Sequence, residues 1–229
     1  MTVQPIQYSM PEEAVRFLQD QSARLAGQRV PRPWHYAELH NPWARAAALY
    51  DSWGFLDLCQ SPSLLAAIAG QIGEDLILFD SQWLTEAPQR PTGEVAAESD
   101  AHRFAVDPLR GVTVLIAFTD PPAATLHQQS GSFELRRGSI TLVDAEVPYR
   151  VQSCPPDGLP PVFAARYFPA TCRYLRDPTV PLHRALTERY PLFDYARMPL
   201  WLVRGEDRAQ NDFVTGFNPR AGYWSGAAR

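Results

Sequence analysis

The residues best placed to do chemistry lie in one short run, Glu98-Ser-Asp100-Ala-His102-Arg103, within the stretch Val95 to Asp120. Two carboxylates, an imidazole and a guanidinium close together can move protons or hold a cation. A turn follows (Asp107-Pro108-Leu-Arg-Gly111), then the apolar, β-branched run Val112 to Phe118, which reads as a buried strand. The polar run is therefore expected to end a neighbouring strand. Alternation along that strand would place Glu98, Asp100 and His102 on one face. If a metal is bound, these three are its candidate ligands, although ligands in a line suit a metal poorly. The plain alternative is a hydrogen-bonded strand end open to solvent.

Two further positions belong with this group. Tyr149 follows Pro148, and as a pocket phenol it could donate a hydrogen bond or act as a general acid/base. Its plain alternative is an aromatic ring that fills space. Arg166 and Tyr167 fall on an apolar strand. A buried arginine needs a partner, because an unpaired buried charge is costly. That partner could be Asp100, Glu98 or an acidic ligand, which makes Arg166 the leading candidate for ligand recognition. His127 is expected to be solvated in a loop, and His183 to lie on a helix surface. His35 and His40 flank a proline-rich segment, where structural roles are expected.

The elements that must carry these residues can be read from pattern. Ser9-Met-Pro11-Glu12 opens a helix that stops at Gly27. A second helix is predicted over Trp43–Trp53. A third runs from Ser61-Pro62 to Gly73. From Asp75 the pattern turns to strands: Asp75–Trp83, Glu94–Ser99, Val112–Phe118, Ser132–Arg136, Ile140–Asp144, Val147–Val151 and Val162–Phe168. Short strands at even spacing, separated by turn residues, are the mark of a β-sandwich or jelly roll. After Ala170 the chain returns to helix and loop, with a short helix over His183–Tyr190. The expectation is one jelly-roll domain over 1–229. It would have a helical layer at 1–73, a barrel core at 75–169 and an extension at 170–229.

Composition narrows the function. The chain has 229 residues, 45% of them hydrophobic and 20% charged, enough to bury a substantial core. Its net charge of −4, with no basic run, argues against a nucleic-acid partner. No window has membrane-spanning length, and the N-terminus lacks the basic-then-apolar pattern of a secretion signal. Cys59, Cys154 and Cys172 form no CxxC pair and read as reduced thiols. A cytoplasmic protein with a small-molecule substrate is expected.

The order of elements resembles the phytanoyl-CoA dioxygenase family of iron(II)/2-oxoglutarate oxygenases. The resemblance runs roughly from Asp51 to Phe213, through GEDLILFDSQW, the polar run, P-x-x-G-V-T-V-L-I-A-F, GSFELRRGSITLVDAEVPYRV, VFAARYFP and LVRGEDRAQNDF. It implies a double-stranded β-helix (a cupin-like jelly roll) holding iron by a His-x-Asp pair and a distant histidine, with an arginine for the cosubstrate carboxylate. It also implies that Gln82 and Trp83 lie on a strand lining the cosubstrate pocket. Residue by residue, His-x-Asp is here Glu98-Ser99-Asp100, and the second histidine is Tyr149. The arginine position falls near Pro160-Pro161-Val162, short of Arg166.

Three readings follow. The first is metal-independent catalysis on this scaffold: isomerisation, cyclisation or elimination in secondary metabolism, without a resident cofactor. Glu98, Asp100, His102 and Tyr149 would be catalytic, and Arg166, Gln82, Trp83 and Tyr167 would bind substrate. The second is an oxygenase that uses Fe(II) and 2-oxoglutarate with non-standard ligands. The third is a non-catalytic ligand- or partner-binding relative, which a barrel filled with bulky side chains would favour.

Overall fold

The computed structural model describes residues 8–28, 32–84, 99–120, 124–153, 159–189 and 195–213. The elements in chain order are β1 (Tyr8–Ser9), α1 (Glu12–Ala26), α2 (Ser52–Cys59), α3 (Pro62–Ile72), β2 (Leu76–Leu84), β3 (Val106–Asp107), β4 (Val112–Ala117), β5 (Ala124–Gln128), β6 (Gly131–Glu134), β7 (Ser139–Asp144), β8 (Tyr149–Ser153), β9 (Val162–Pro169), β10 (Arg173–Tyr174), α4 (Pro181–Arg189) and β11 (Trp201–Arg204). Three antiparallel sheets result: a six-stranded one in the order β1-β7-β4-β9-β2-β11, a three-stranded one in the order β6-β5-β8, and the β10-β3 pair. The large sheet curls into a half-barrel and the three-stranded sheet faces its hollow side, giving the jelly-roll, cupin-like architecture expected from the strand spacing.

Burial on both faces explains why the central strands read as unbroken apolar runs. On the outer face Leu78 and Trp83 of β2, Val114 of β4, Leu142 of β7 and Phe163 of β9 pack under α1–α3. On the inner face Leu115, Val143, Val162 and Ala164 meet Leu126, Leu135 and Tyr149 from the small-sheet side. A third cluster closes one end, where Phe79, Phe104 and Phe168 pack with Tyr174, Leu186 and Met198. Its last members come from the C-terminal extension, so that extension seals the barrel end.

Local departures from expectation have identifiable causes. Ser9 does not cap α1: it pairs with Ser139 as part of β1, and Pro11 takes the N-cap place. Trp43–Trp53 is not one helix. A short 3-10 turn, Arg45–Ala48, precedes α2, which begins after Asp51 accepts a hydrogen bond from the Gly54 N–H. His127 lies in a strand, β5, pairing with Ser132 and Arg150. The edge strand β11 also went unread, because only four residues of it are regular.

Gly111 enters β4 where a side chain has no room. A Cβ there would overlap the Phe104 ring and lie 2.9 Å from the Tyr167 carbonyl oxygen. Gly111→Ala is expected to cost about 1–3 kcal/mol by overpacking, read as a lowered urea midpoint with an unchanged slope.

Candidate functional site

The polar run is not a strand end. Asp100–Arg103 forms a 3-10 turn, closed by the Phe104 N–H donating to the Ala101 carbonyl and by His102 Nδ1 at 2.7 Å from the Ser99 carbonyl oxygen. Period-two alternation therefore does not govern positions 100 and 102. The local contact to Ser99 turns His102 away from the line of ligands expected from the sequence. Glu98, the other member of that set, lies outside the described residues.

What the turn does is bury Asp100. Its Oδ2 accepts three hydrogen bonds: from Thr113 Oγ1 at 2.7 Å, Tyr149 Oη at 2.7 Å and Arg166 Nε at 2.9 Å. Its Oδ1 lies 3.5 Å from Arg103 Nε, and Arg103 in turn donates to Gln82 Oε1 at 3.3 Å. Arg166 completes the set by donating from Nη1 to Asp80 Oδ2 at 2.6 Å. Asp80, Arg166 and Thr113 are register partners across β2, β9 and β4, so they form one row across the large sheet. Tyr149 closes over the row from β8 of the small sheet. The residues sit 7%, 1%, 5% and 8% exposed for Asp80, Arg166, Asp100 and Tyr149.

A β-bulge makes this row possible. In β2 the register shifts between Leu78 and Asp80. Phe79 is the extra residue, and it packs on Phe104 and Phe168 while Asp80 reaches Arg166. Two consecutive side chains thus both turn away from the helices, as a bulge allows and a regular strand does not.

The electrostatics follow from the packing. Burial alone pushes the Asp100 carboxyl upward, but the Arg166 and Arg103 guanidinium groups and the Thr113 and Tyr149 hydroxyls outweigh it and hold the carboxyl well below the usual range. Burial and the adjoining Asp100 charge push the Tyr149 phenol far above its usual range. Arg166 stays charged: burial opposes this, and Asp100 and Asp80 override it. At neutral pH the row holds Asp100 and Arg166 in their ionised forms and the Tyr149 proton on its phenol, committed to Asp100.

Among the sequence candidates, Asp100, Tyr149 and Arg166 converge, and Gln82 touches their edge through Arg103. Trp83 and Tyr167 lie on the opposite, helix-facing side. Trp83 packs against Tyr50, Phe55, Phe118 and Phe163, and Tyr167 donates its hydroxyl to the Cys59 carbonyl. Arg103, part of the polar run, joins the converging group, while Asp80 and Thr113 were not expected. Asp80 and Thr113 sit within apolar runs, where the informative signal was a lone charged or hydroxyl residue on a buried strand.

The donor set does not suit a metal ion. Among the described residues no group of three His, Cys, Asp or Glu side chains could hold one. Asp100 and Asp80 direct oxygens at Arg166, so a guanidinium lies between the two carboxylates where a cation would need to sit. These residues do not fit a ferrous ion.

Similarity to known proteins agrees with the fold. No family model matches the chain, and no curated protein sequence matches it. Solved structures do. The apo form of ThoJ, a non-heme monooxygenase, superposes with a TM-score of 0.60 at 14% identity, covering 94% of this chain and 84% of its own. CytC3, also known in a complex with Fe(II) and α-ketoglutarate, gives 0.58 at 15% identity over 93% and 88%. SnoN, a non-heme α-ketoglutarate-dependent epimerase from nogalamycin biosynthesis, gives 0.53 at 15% over 74% and 80%. The structural neighbours are thus non-heme iron, 2-oxoglutarate-dependent enzymes, and at these identities the likeness is one of fold.

Two acid steps in stability follow. His40 is fully buried, with Nδ1 2.7 Å from Ser81 Oγ. Burial lowers its pKa from 6.5 to about 4, against the opposing pull of Asp80. A depressed histidine contributes stability that is complete above its unfolded value and lost as pH falls toward its folded one. About 3 kcal/mol is therefore expected to disappear between pH 6.5 and about 4, and His40→Asn should flatten that limb of a urea-midpoint profile. Asp100 acts lower, because its stabilisation is complete above 3.8 and lost only as pH falls below that; Asp100→Asn should remove this second limb. Removing Arg166 leaves the buried Asp80 without its cation and Asp100 with Arg103 alone. Arg166→Met is expected to cost about 3–5 kcal/mol, and the milder Tyr149→Phe about 1.5–3 kcal/mol through one lost hydrogen bond to a charge, both measured by equilibrium unfolding.

Proposed function

We propose that this chain is a non-catalytic binding protein built on the scaffold of the non-heme iron, 2-oxoglutarate-dependent enzymes, with a ligand or partner taken up outside the barrel. The observation that carries this reading is Arg166, bonded to Asp80 and Asp100 inside a packed barrel. Around it the inner-wall residues Leu115, Leu126, Val143, Val162 and Ala164 are fully buried and pack as one apolar cluster. A small-molecule site needs concave space with a few convergent polar groups, and here the polar groups are spent on one another.

The same geometry speaks against the two catalytic readings. A general base must be able to take a proton, and Asp100 is held ionised by three donors to one oxygen. A general acid must give one up, and the Tyr149 proton is bound to that same oxygen. In the resemblance to the phytanoyl-CoA dioxygenase family, Asp100 and Tyr149 align with iron ligands, and here both serve an internal ion-pair network. The neighbours' own activities, monooxygenation for ThoJ and epimerisation for SnoN, belong to those proteins. Small-molecule metabolism of that kind is the setting in which a silent relative of this fold would act.

The test is an anaerobic titration of the metal-stripped chain with Fe(II) and 2-oxoglutarate, followed by the visible charge-transfer band of the chelated cosubstrate and by calorimetry. The expected outcome is no saturable band and no heat of binding. A band that saturates at one equivalent would overturn the proposal.

A further inference from the structure

The helical layer carries an aromatic surface that the barrel does not use. Trp43 and Trp53 are 49% and 57% exposed, more than any other large apolar side chain among the described residues. Their rings meet edge to face, 6.4 Å apart. Both are held in place. Trp43 stacks on the buried Trp201 of β11 at 5.3 Å, and its backbone N–H donates to Asn41 Oδ1 at 3.0 Å. Trp53 stands on α2, whose other face, with Phe55, Leu56, Leu58 and Cys59, is buried in the core. Rigid, exposed tryptophans are the anchors that binding interfaces use, and a free chain gains nothing by showing them to water.

Charge is divided across this surface. On the Trp43 side, Arg32 and Arg45 lie over the Trp34 ring, 6.0 and 5.5 Å from its centroid, on two 3-10 turns that pack together. On the Trp53 side, α2 presents Asp51 at its start and Asp57 one turn beyond Trp53. All four charged side chains are exposed, and among the described residues none is in an ion pair. Two cations and two anions thus flank an aromatic centre. An acidic segment or an anionic membrane laid on this face would meet Asp51 and Asp57, and a basic one would meet Arg32 and Arg45. A surface divided in this way is complementary to itself after half a turn, which is the geometry of an isologous, twofold contact.

We propose that this face joins two copies of the chain about a twofold axis. Trp43 packs against the partner subunit's Trp53, and Arg45 meets the partner subunit's Asp57. The axis repeats both contacts. Two half-exposed tryptophans offer roughly 200 Å² of apolar area. That is about a quarter of the ~800 Å² that a standard interface takes from each partner, so they form its anchor and the charged residues its rim. The face lies on the helix side of the large sheet, opposite Arg166. The inference therefore goes beyond the reading of the barrel and holds whether or not the barrel binds iron.

The test is sedimentation equilibrium of the full chain over a concentration series. The unaltered chain should pass from monomer to dimer. Trp53→Gln, a change at an exposed helix position, should raise the dimer dissociation constant about tenfold, as loss of an interface anchor does, and leave the far-ultraviolet circular dichroism unchanged. The decisive arm reverses charges. Arg45→Glu alone and Asp57→Arg alone each set like charges across the axis and should stay monomeric. An equimolar mixture of the two should dimerise, because every contact between unlike copies then joins opposite signs again. A chain that is monomeric throughout, a dimer indifferent to Trp53→Gln, single variants that still dimerise, or a mixture that stays monomeric would overturn the proposal. So would a monomer that co-sediments with phosphatidylglycerol vesicles, which would give the face to a membrane.

Discussion

The structure depends on keeping one cation buried in the middle of a β-barrel. Arg166 has almost no contact with water, and its charge is tolerable only because Asp80 and Asp100 flank it and Thr113 and Tyr149 complete the carboxylate shell. Such a network contributes less to net stability than its short distances suggest, since the desolvation of each ion opposes the attraction. Its larger effect is on specificity. The large sheet supplies Asp80, Arg166 and Thr113, the small sheet supplies Tyr149, and the 3-10 turn supplies Asp100. All must be in register before the charges balance, which ties the two sheets and the turn into one arrangement.

That constraint also makes the barrel centre hard to convert one residue at a time. Placing a histidine at Tyr149 would leave Arg166 in place and add a competing cationic group. Removing Arg166 first would strand Asp80 in an apolar wall and leave Asp100 to Arg103 alone. A route to a metal site must change several of these residues together, so a chain that has adopted this network is held in it by stability as well as by function.

Much of this was legible in the sequence. The jelly roll followed from short, evenly spaced apolar runs, and α3 from Ser61-Pro62 and Gly73. Arg166 stands out because a charged group on a buried strand needs a partner, Asp100 because it lies in a dense polar run, and Tyr149 because it follows Pro148 where the family resemblance puts a ligand. The 3-10 turn at Asp100–Arg103 was not legible, because its geometry is set by one side-chain contact to Ser99 and by the barrel it closes. Asp80 was hidden for another reason: a bulge changes which face a residue serves, and nothing in LILFDSQWL marks where one falls. The burial of His183 was hidden too, because a nine-residue helix with exposed neighbours reads as a surface element unless its packing partner is known.

The bulge at Phe79 amounts to a change of parity along β2. Before it, odd-numbered residues, Ile77 and Phe79, face the hollow. After it, even-numbered ones do, with Asp80 beside Arg166 and Gln82 and Leu84 beyond, while Ser81 and Trp83 turn to the helices. Deleting that one residue would take the Phe79 ring off Phe104 and Phe168 and join Leu78 to Asp80 in plain alternation, with Ser81 and Trp83 still toward the helices. Deleting a residue anywhere else in the strand would instead turn one half of it to the wrong face. The strand therefore carries two reading frames joined at a single point, and the charge balance of the barrel centre is written in the second.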